Sequence, residues 1–292
     1  MSIIIKSLKD YLSLVKFSHT VFAMPFAIIG FSLATAQNDQ HFNIRLLLLI
    51  ILCMVFARNA AMGFNRYADK KYDTLNPRTA SREMPSGKIK TKAAVIFVLI
   101  NSVLFIITTG FINHLTLVLS PVALIVILGY SLTKRITFLC HFILGLGLSL
   151  APVGAYISVT GKFNITPIIY SFIVLTWVSG FDIIYALQDD EFDRSNKLYS
   201  IPSFTGRRKA IMISICVHVI TFLLVITAGL VQKAGYLYWT GSCIFSLLLV
   251  YQHLIVKPRD ISRVNLAFAT TNGLASIIYA IFIICDLFML GK

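Results

Sequence analysis

Long apolar runs alternate with short polar connections along most of the chain. Nine of these runs are long enough to cross the apolar interior of a bilayer as helices, which takes roughly 20 residues each. No run shows the strict alternation of a membrane β-barrel strand. The pattern predicts an all-α, polytopic membrane protein: a single bundle of nine transmembrane helices around a central cavity. The predicted spans lie near residues 20–37, 44–64, 92–111, 114–132, 137–159, 166–187, 210–231, 235–255 and 264–289.

The segment before the first span is itself amphipathic. Apolar side chains recur at helical spacing through Leu8, Leu12 and Val15, which predicts an interfacial helix over residues 1–18 that runs into span one. Ala34-Thr35-Ala36 has the pattern of a signal-peptidase site. Because a long amphipathic segment precedes the apolar run, we interpret the first span as retained. We expect the whole chain to form one integral-membrane domain.

The composition supports this architecture. Hydrophobic residues make up 57% of the 292 residues and charged residues only 13%, with a mean hydropathy of +0.82. A soluble domain carries about 25% charged residues, so most of this chain is expected to meet lipid. The five cysteines and six histidines are scattered singly and lack the spacings of disulfide frameworks or metal sites. Zinc and haem chemistry are therefore not expected.

Basic residues are distributed unevenly over the connections. Of the 26 lysines and arginines, only Arg45, Lys162, Lys233 and Lys292 fall on one side of the predicted bundle, and Arg58 lies within a span. The other side carries the rest, so the positive-inside rule places the N-terminus and the long loops in the cytoplasm and the C-terminus outside. The net charge of +14 thus reflects topology, and it favours anionic lipid headgroups or an anionic substrate as partners over nucleic acid. The predicted cytoplasmic loops cover residues 65–91, 131–136 and 188–209.

Polar residues recur at a spacing of four where the second span reaches the cytoplasmic side. The stretch NRYADKKYD (residues 65–73) follows directly on an apolar run. At about 100° per residue, Asn65, Asp69 and Asp73 share one helix face, and Arg58 lies on the same stripe two turns earlier. Asn65, Asp69 and Asp73 are called the first acidic motif below.

A second acidic stretch, DDEFD (residues 189–193), ends the sixth apolar run on the same side. Asp189 and Asp193 repeat the spacing of four and are called the second acidic motif below. If the sixth span continues as a helix, Asp182 joins their stripe from within the hydrocarbon. A carboxylate at that depth costs at least ~2.5 kcal/mol, so Asp182 is expected to face a cavity or a partner.

Two facing sets of carboxylates would repel each other unless a cation neutralises them. Mg²⁺ prefers oxygen ligands and is typically held by one or two carboxylates together with substrate phosphates. We therefore expect both acidic motifs to bind Mg²⁺ around a diphosphate whose oxygens are clamped by nearby cations. Each motif alone also fits a solvated loop of balanced charge, but matched spacing on one side favours the metal site. The expected diphosphate-binding residues are Lys70, Arg78, Arg82, Lys134, Arg135 and Lys197, with Arg207 and Arg208 nearby.

Over its whole length, the chain resembles the UbiA superfamily of intramembrane aromatic prenyltransferases. The two acidic motifs are similar to the NxxxDxxxD and DxxxD motifs of that family. The matching stretches of sequence are most similar to the branch of 4-hydroxybenzoate polyprenyltransferases, which act in quinone synthesis. The other matching blocks are KFSHTVFAMPFA (16–27), ARNAAMGFNR (57–66), NPRTASREMPSG (76–87), YSLTKR (130–135), DIIYALQDDEFD (182–193) and YSIPSFTG (199–206).

The resemblance implies Mg²⁺-dependent transfer of a polyprenyl group from polyprenyl diphosphate to 4-hydroxybenzoate, in ubiquinone or menaquinone synthesis. It also implies a multi-pass protein of a bacterial inner membrane, with no obligate protein partner evident. Many relatives have an aspartate where this chain has Arg66, which leaves the number of Mg²⁺ ions, two or more, open. The residues that the resemblance implies as metal ligands are Asn65, Asp69, Asp73, Asp189 and Asp193, and the four aspartates would be catalytic.

Polar residues in or beside several spans are candidates for holding the aromatic acceptor. Arg58 comes first because its stripe points towards the expected metal site, although it could instead pair with a buried acid such as Asp182. His19 equally fits an interior histidine, and Tyr130 or Tyr185 could steady a cation through the ring face. The full expected acceptor set is Lys16, His19, Arg58, Tyr130, Asp182 and Asn272.

Other functions fit parts of the pattern. An ion-coupled transporter would use an intramembrane acid such as Asp182, but here the acids cluster at one mouth among cations, which suits a phosphate better. A CDP-alcohol phosphotransferase also uses spaced membrane aspartates, but its motif opens with an Asp-Gly that this chain lacks, and it has no second acidic motif. Within the family, a dihydroxynaphthoate or a tetrapyrrole precursor would use the same metal site, so the acceptor and the prenyl length stay open.

Overall fold

The structure, a computed structural model, describes residues 10–15, 22–37 and 42–289. Within these ranges the chain is helical, and the only β pairing is an isolated bridge between Lys257 and Asp260. A 3₁₀ turn covers Ala186–Gln188, and a π-helix covers Leu266–Thr271. The α-helices are α1 (Met24–Gln37), α2 (Ile44–Leu75), α3 (Thr91–Gly110), α4 (His114–Thr133), α5 (Cys140–Thr160), α6 (Ile165–Tyr185), α7 (Asp190–Ser195), α8 (Ile201–Thr205), α9 (Arg207–Val231), α10 (Tyr236–Ile255) and α11 (Asn272–Met289).

Each predicted span coincides with one of these helices, so the predicted fold class is confirmed. In the described part of the chain, seven helices are long and apolar enough to cross a membrane. The helix at the first predicted span, α1, is shorter at 14 residues, and α10 is not among the seven. The protein is a multi-pass integral membrane protein, while nine crossings remain a prediction. Of the expected interfacial helix over residues 1–18, residues 10–14 are helical, and the rest lies outside the described residues apart from Val15.

The outer helices turn apolar side chains outwards and polar side chains inwards. Leu99 of α3, Ile125 of α4 and Leu223 of α9 are exposed. In contrast, Asn101 of α3 is buried and accepts a hydrogen bond of 3.1 Å from the side-chain amide of Asn59 in α2. This arrangement suits a lipid environment, because a polar group facing hydrocarbon would have no hydrogen-bond partner.

Helix α6 is the buried centre of the bundle. The fully buried Trp177 lies 5.3 Å from Phe26, 5.1 Å from Phe181 and 5.9 Å from Phe245, measured between ring centroids. Such aromatic pairs contribute about 0.5–1.5 kcal/mol each beyond their buried area. The indole N–H of Trp177 donates to the Asn272 side chain at 2.9 Å. Contacts with α1, α10 and α11 therefore hold α6 and the polar segment that follows it in place.

Helices α5 and α6 approach each other closely at Gly145. A Cβ atom at this position would lie 2.5 Å from the backbone oxygen of Leu175 and 2.6 Å from the hydroxyl of Ser179. Small residues permit this backbone approach, which replaces the hydrophobic driving force that is absent between helices in lipid. The same contact holds the first turns of α5 against the C-terminal half of α6.

The two acidic segments depart from the predicted loop boundaries. Helix α2 does not end near residue 64 but continues to Leu75, so the predicted loop 65–91 begins as three further helical turns. The predicted loop 188–209 contains α7 and α8. Both additions are polar, and their backbone groups are satisfied by helical hydrogen bonds beyond the apolar spans.

The prediction that Asp182, Asp189 and Asp193 lie on one continuous helix was wrong. Helix α6 ends at Tyr185, a 3₁₀ turn follows, and α7 begins after Asp189. Acidic residues in the first turn of α7 interact favourably with the positive end of its dipole, which favours a new helix start at this point. Asp182 therefore does not share a helix with the second acidic motif.

We expect Gly145→Ala to destabilise the bundle by about 1–3 kcal/mol, since the added methyl group overpacks the α5–α6 contact. The matched control is Gly154→Ala in the same helix, where no atom lies within 4 Å of an added Cβ. Thermal unfolding of the detergent-solubilised protein measures both variants. Equal melting temperatures for the two would contradict the close contact.

Candidate functional site

Both acidic motifs line one cavity at the polar end of the bundle. The cavity encloses about 100 Å³ and is bordered by Asp69 and Asp73 of α2 and by Asp189 and Asp193 around α7. The geometric expectation that the two motifs face each other therefore agrees with the structure. Four cations also line the cavity: Arg78, Arg82, Lys134 and Arg135.

The first acidic motif occupies the last turns of α2. The side-chain amide of Asn65 donates to Asp69 Oδ2 at 3.0 Å, so this residue orients an aspartate within its own helix. Asp69 Oδ1 lies 3.5 Å from the Arg135 guanidinium, which is placed over the Tyr72 ring at 5.4 Å. Asp73 is buried and forms an ion pair of 2.7 Å with Arg82.

The second acidic motif is held mainly from other segments. Arg78 binds both oxygens of Asp189 and donates to the Tyr185 hydroxyl at 3.3 Å. Asn76, which caps the end of α2, donates to Asp189 Oδ1 at 2.9 Å. The fully buried Asp193 lies 2.8 Å from the Lys134 ammonium. The segment after α2 thus ties the first motif to the second.

The electrostatics of the two aspartates differ because their partners differ. Burial opposes ionisation of Asp189, but the Arg78 guanidinium outweighs it and holds the pKa of that carboxyl below its usual value. Burial raises the pKa of Asp193, and the Lys134 ammonium offsets only part of this effect. Every aspartate of the two motifs nevertheless has one cationic partner, so the four carboxylates do not face each other unshielded.

The residues of the cavity fit a divalent cation that is shared with a substrate. Within the described residues, no three histidine, cysteine or acidic side chains converge as a complete metal site. However, Mg²⁺ needs only one or two carboxylates when substrate phosphates supply further oxygens. Asp73 Oδ2 is buried and has no hydrogen-bond partner, as expected for an oxygen reserved for such a ligand.

The structure brings four of the six expected diphosphate-binding residues into the cavity. Lys70 instead donates to the Thr91 hydroxyl at 2.9 Å in a separate cavity beside α2 and α3, and Lys197 is exposed with a φ of 55°. Neither lines the central cavity, because their backbone positions direct the side chains elsewhere. Arg207 binds both oxygens of Asp190 at 2.8 and 2.9 Å and thereby joins α9 to α7.

The expected acceptor residues are not gathered in one place. Arg58 and Tyr130 interact electrostatically on α2 and α4, close to Arg66. Asp182 contacts His141, with Oδ2 and Nδ1 2.7 Å apart. The remaining three expected residues are Asn272, which is fully buried and bonded to Trp177 and Gln252, and Lys16 and His19, which lie outside the described residues.

Two residues that the sequence analysis did not select hold the second acidic motif in place, and a third contacts Asp182. Asn76 bonds Asp189, Ser200 donates to Asp193 Oδ2 at 3.0 Å, and His141 contacts Asp182. A signal existed for Ser200, because SIPS (200–203) reads as a helix N-terminus with Pro at an early position. For Asn76 and His141 the sequence offers no local signal, since their roles arise from contacts with distant residues.

Comparison with known proteins gives a consistent result. A model described as the UbiA prenyltransferase family matches residues 23–277. The 4-hydroxybenzoate octaprenyltransferase of Aliivibrio salmonicida (strain LFI1238) is 30% identical over 251 residues, which cover 85% of this chain and 86% of that protein. The corresponding protein of Aliivibrio fischeri (strain MJ11) is 29% identical over 249 residues, with 85% of each chain covered.

Two solved structures share the fold. A UbiA homologue from Aeropyrum pernix K1 has a TM-score of 0.79 and 26% identity, with 94% of this chain and 98% of that chain covered. A UbiA homologue from Archaeoglobus fulgidus, bound to GPP and Mg²⁺, has a TM-score of 0.65 and 21% identity, with 92% and 99% covered. The match extends over nearly the whole length of both chains.

We expect Arg78→Gln to lower the free energy of unfolding by about 1 kcal/mol in EDTA, because Asp189 loses its cationic partner within a partly exposed site. The double variant Arg78→Gln, Asp189→Asn should be destabilised by less than the sum of the single changes. Arg194→Gln is the control, since Arg194 is exposed and contacts only the Ser203 carbonyl oxygen, at 3.3 Å. Additive effects in denaturant titrations would show that the pair is not coupled.

Proposed function

The chain belongs to the UbiA prenyltransferase family, and we propose that it transfers a polyprenyl group from polyprenyl diphosphate to 4-hydroxybenzoate in quinone biosynthesis. The placement of both acidic motifs across one cation-lined cavity carries this proposal. The names of the curated relatives support the acceptor and the long isoprenoid donor. The Archaeoglobus fulgidus structure supports a diphosphate with Mg²⁺ as the type of ligand.

We propose that Asp69 and Asp73 bind Mg²⁺ from one side of the cavity and that Asp189 and Asp193 bind it from the other. Asn65 assists by orienting Asp69. When bound, Mg²⁺ supplies Lewis-acid stabilisation of the negative charge that develops on the departing diphosphate. The protein's own contribution is to present carboxylate oxygens from both sides of one cavity, which orients the bound diphosphate.

The cations of the cavity exchange partners when the donor binds. Arg78, Arg82, Lys134 and Arg135 pair with aspartates in this structure, and each can pair instead with a phosphate oxygen. The four aspartates and four cations are balanced in charge. A prenyl diphosphate adds about three negative charges, and either one or two Mg²⁺ ions bring the occupied site to within about one charge of neutrality.

We place the aromatic acceptor deeper in the bundle, beside Arg58 and Tyr130. Arg58 lies on the α2 face of the first acidic motif, two turns before Asn65, and a guanidinium matches a carboxylate in geometry and charge. The acceptor ring would then lie between this arginine and the diphosphate. We expect the surrounding apolar helices to exclude water from the reacting carbon, which would protect an allylic cation from hydrolysis.

We propose that the cavity opens to the cytoplasm and that the protein lies in a bacterial inner membrane. The loops that surround the cavity carry most of the basic residues, and the positive-inside rule assigns such loops to the cytoplasmic side. The soluble acceptor would enter from this side. The lipid tail of the donor would remain between apolar helices.

We expect Asp69→Ala and Asp189→Ala to abolish prenyl transfer while the protein stays folded, because each change removes a carboxylate from the cavity. The assay uses membranes with Mg²⁺, labelled prenyl diphosphates of several lengths, and competing hydroxybenzoate and naphthoate acceptors. Glu191→Ala is the control, since this acid belongs to the same segment but its side chain is 83% exposed. Normal turnover in either aspartate variant would refute the metal assignment. EDTA should stop the reaction, and added Mg²⁺ should restore it.

We expect Arg58→Met to raise the KM for 4-hydroxybenzoate about 10- to 100-fold, as the loss of hydrogen bonds to a charged group costs about 1.5–3 kcal/mol. The KM for the prenyl diphosphate should not change. Arg45→Met provides the control, because Arg45 is exposed in the first turn of the same helix. An unchanged KM for the acceptor would exclude Arg58 from its binding site.

A further inference from the structure

The segment between α7 and α8 is fastened to the segment between α4 and α5. The Tyr199 N–H donates to the carbonyl oxygen of Lys134 at 2.7 Å. Two residues later, the Ile201 N–H donates to His141 Nε2 at 3.2 Å. The same lysine forms the ion pair with Asp193. The surroundings of the second acidic motif are therefore set by residues more than 50 positions away along the chain.

The hydrogen bond from Ile201 fixes the tautomer of His141. An amide N–H can only donate, so Nε2 must present its lone pair, and the ring proton of a neutral imidazole is then on Nδ1. Nδ1 faces Asp182 Oδ2 at 2.7 Å, where the carboxylate accepts this proton's hydrogen bond. His141 is 2% exposed, so no bulk water competes for either nitrogen. Asp182 thus selects the tautomer that can accept from Ile201.

Ser200, the neighbour of Ile201, connects this hydrogen-bonded turn to the second acidic motif. Its hydroxyl donates to Asp193 Oδ2 at 3.0 Å, and both residues are fully buried. Ser200 also forms a capping box with Ser203 at the start of α8, which fixes the turn itself. The other oxygen of Asp193, Oδ1, lies towards Lys134.

We propose that His141 and Asp182 are positioning residues for Asp193. They hold the Ser200 turn so that one oxygen of Asp193 stays bound to the hydroxyl while the other is available to a cation in the cavity. This proposal rests on the proposed metal site, and it replaces the expected acceptor role of Asp182. Partners that orient a metal ligand typically change metal affinity 10- to 100-fold when they are lost.

A purely structural buried pair would stabilise the fold without changing the affinity for a metal. The test therefore measures Mn²⁺ binding by electron paramagnetic resonance on the purified, detergent-solubilised protein with geranyl diphosphate. We expect His141→Leu and Asp182→Asn to weaken Mn²⁺ binding about 10-fold. The asparagine keeps the shape of the side chain, but it can donate as well as accept, so it no longer selects the tautomer.

Two further variants separate positioning from misfolding. His141→Gln keeps one donor and one acceptor and should recover most of the Mn²⁺ affinity. Ser200→Ala should weaken Mn²⁺ binding as His141→Leu does. The double variant His141→Leu, Ser200→Ala should bind Mn²⁺ no more weakly than Ser200→Ala alone, because both changes act on Asp193 through the same hydrogen bonds. His114→Leu is the control: this histidine is exposed at the start of α4, away from the cavity.

Unchanged Mn²⁺ affinity in His141→Leu and Asp182→Asn, or additive losses in the double variant, would overturn the proposal. Because this readout requires no turnover, its outcome is distinct from that of the proposed function. Normal prenyl transfer with unchanged Mn²⁺ affinity in these variants would remove the positioning role and leave the enzyme assignment intact. If the variants lose Mn²⁺ affinity as predicted but the wild-type protein forms no prenylated product, the positioning role stands and the proposed enzyme activity falls.

Discussion

The pairing of four aspartates with four cations at one end of the bundle is the interaction on which the site depends. Carboxylates brought together on two packed helical segments would repel each other, and the repulsion would oppose the packing. The arginines and lysine remove this obstacle and allow the carboxylates to lie close together. They are also the groups best suited to hold phosphate oxygens. Under the proposed function, one set of cations would serve both the empty and the occupied site, without separate elements for stability and for substrate binding.

The rest of the bundle fixes the relative positions of the two acidic motifs and their cationic partners. Helix α6 is mostly buried, with aromatic contacts around Trp177 and Phe181, and its end leads into the second acidic motif. The first motif lies in the last turns of α2, a single helix of 32 residues. Between them, Asn76 and Arg78 reach from the end of α2 to Asp189. The rigid interior fixes where the two motifs begin, and a few polar contacts fix how they meet.

The sequence was sufficient for the fold class, for the location of every long helix and for placing the two acidic motifs at the same end of the bundle, because hydrophobic runs and a spacing of four are local signals. It failed where the outcome depends on tertiary contacts. The stripe through Asp182 required α6 to continue, whereas the chain ends that helix at Tyr185. Lys70 lies within the first motif in sequence and Arg78 lies five residues beyond it, yet only Arg78 lines the cavity. Lys70 directly follows Asp69 in α2, so its side chain is turned by about 100° from that aspartate. Arg78 is directed by the path of the chain after Leu75, for which the sequence has no local pattern.

The unbroken course of α2 from Ile44 to Leu75 limits how such a chain can change over evolution. Deleting a single residue before Asn65 would rotate everything beyond it by about 100° about the helix axis and would turn both aspartates away from their partners. The connection between α5 and α6 carries no residue of the cavity, and additional residues there could be looped out at little energetic cost. Lineages that share this architecture should therefore vary in the length of their connections and hardly at all in the length of this helix.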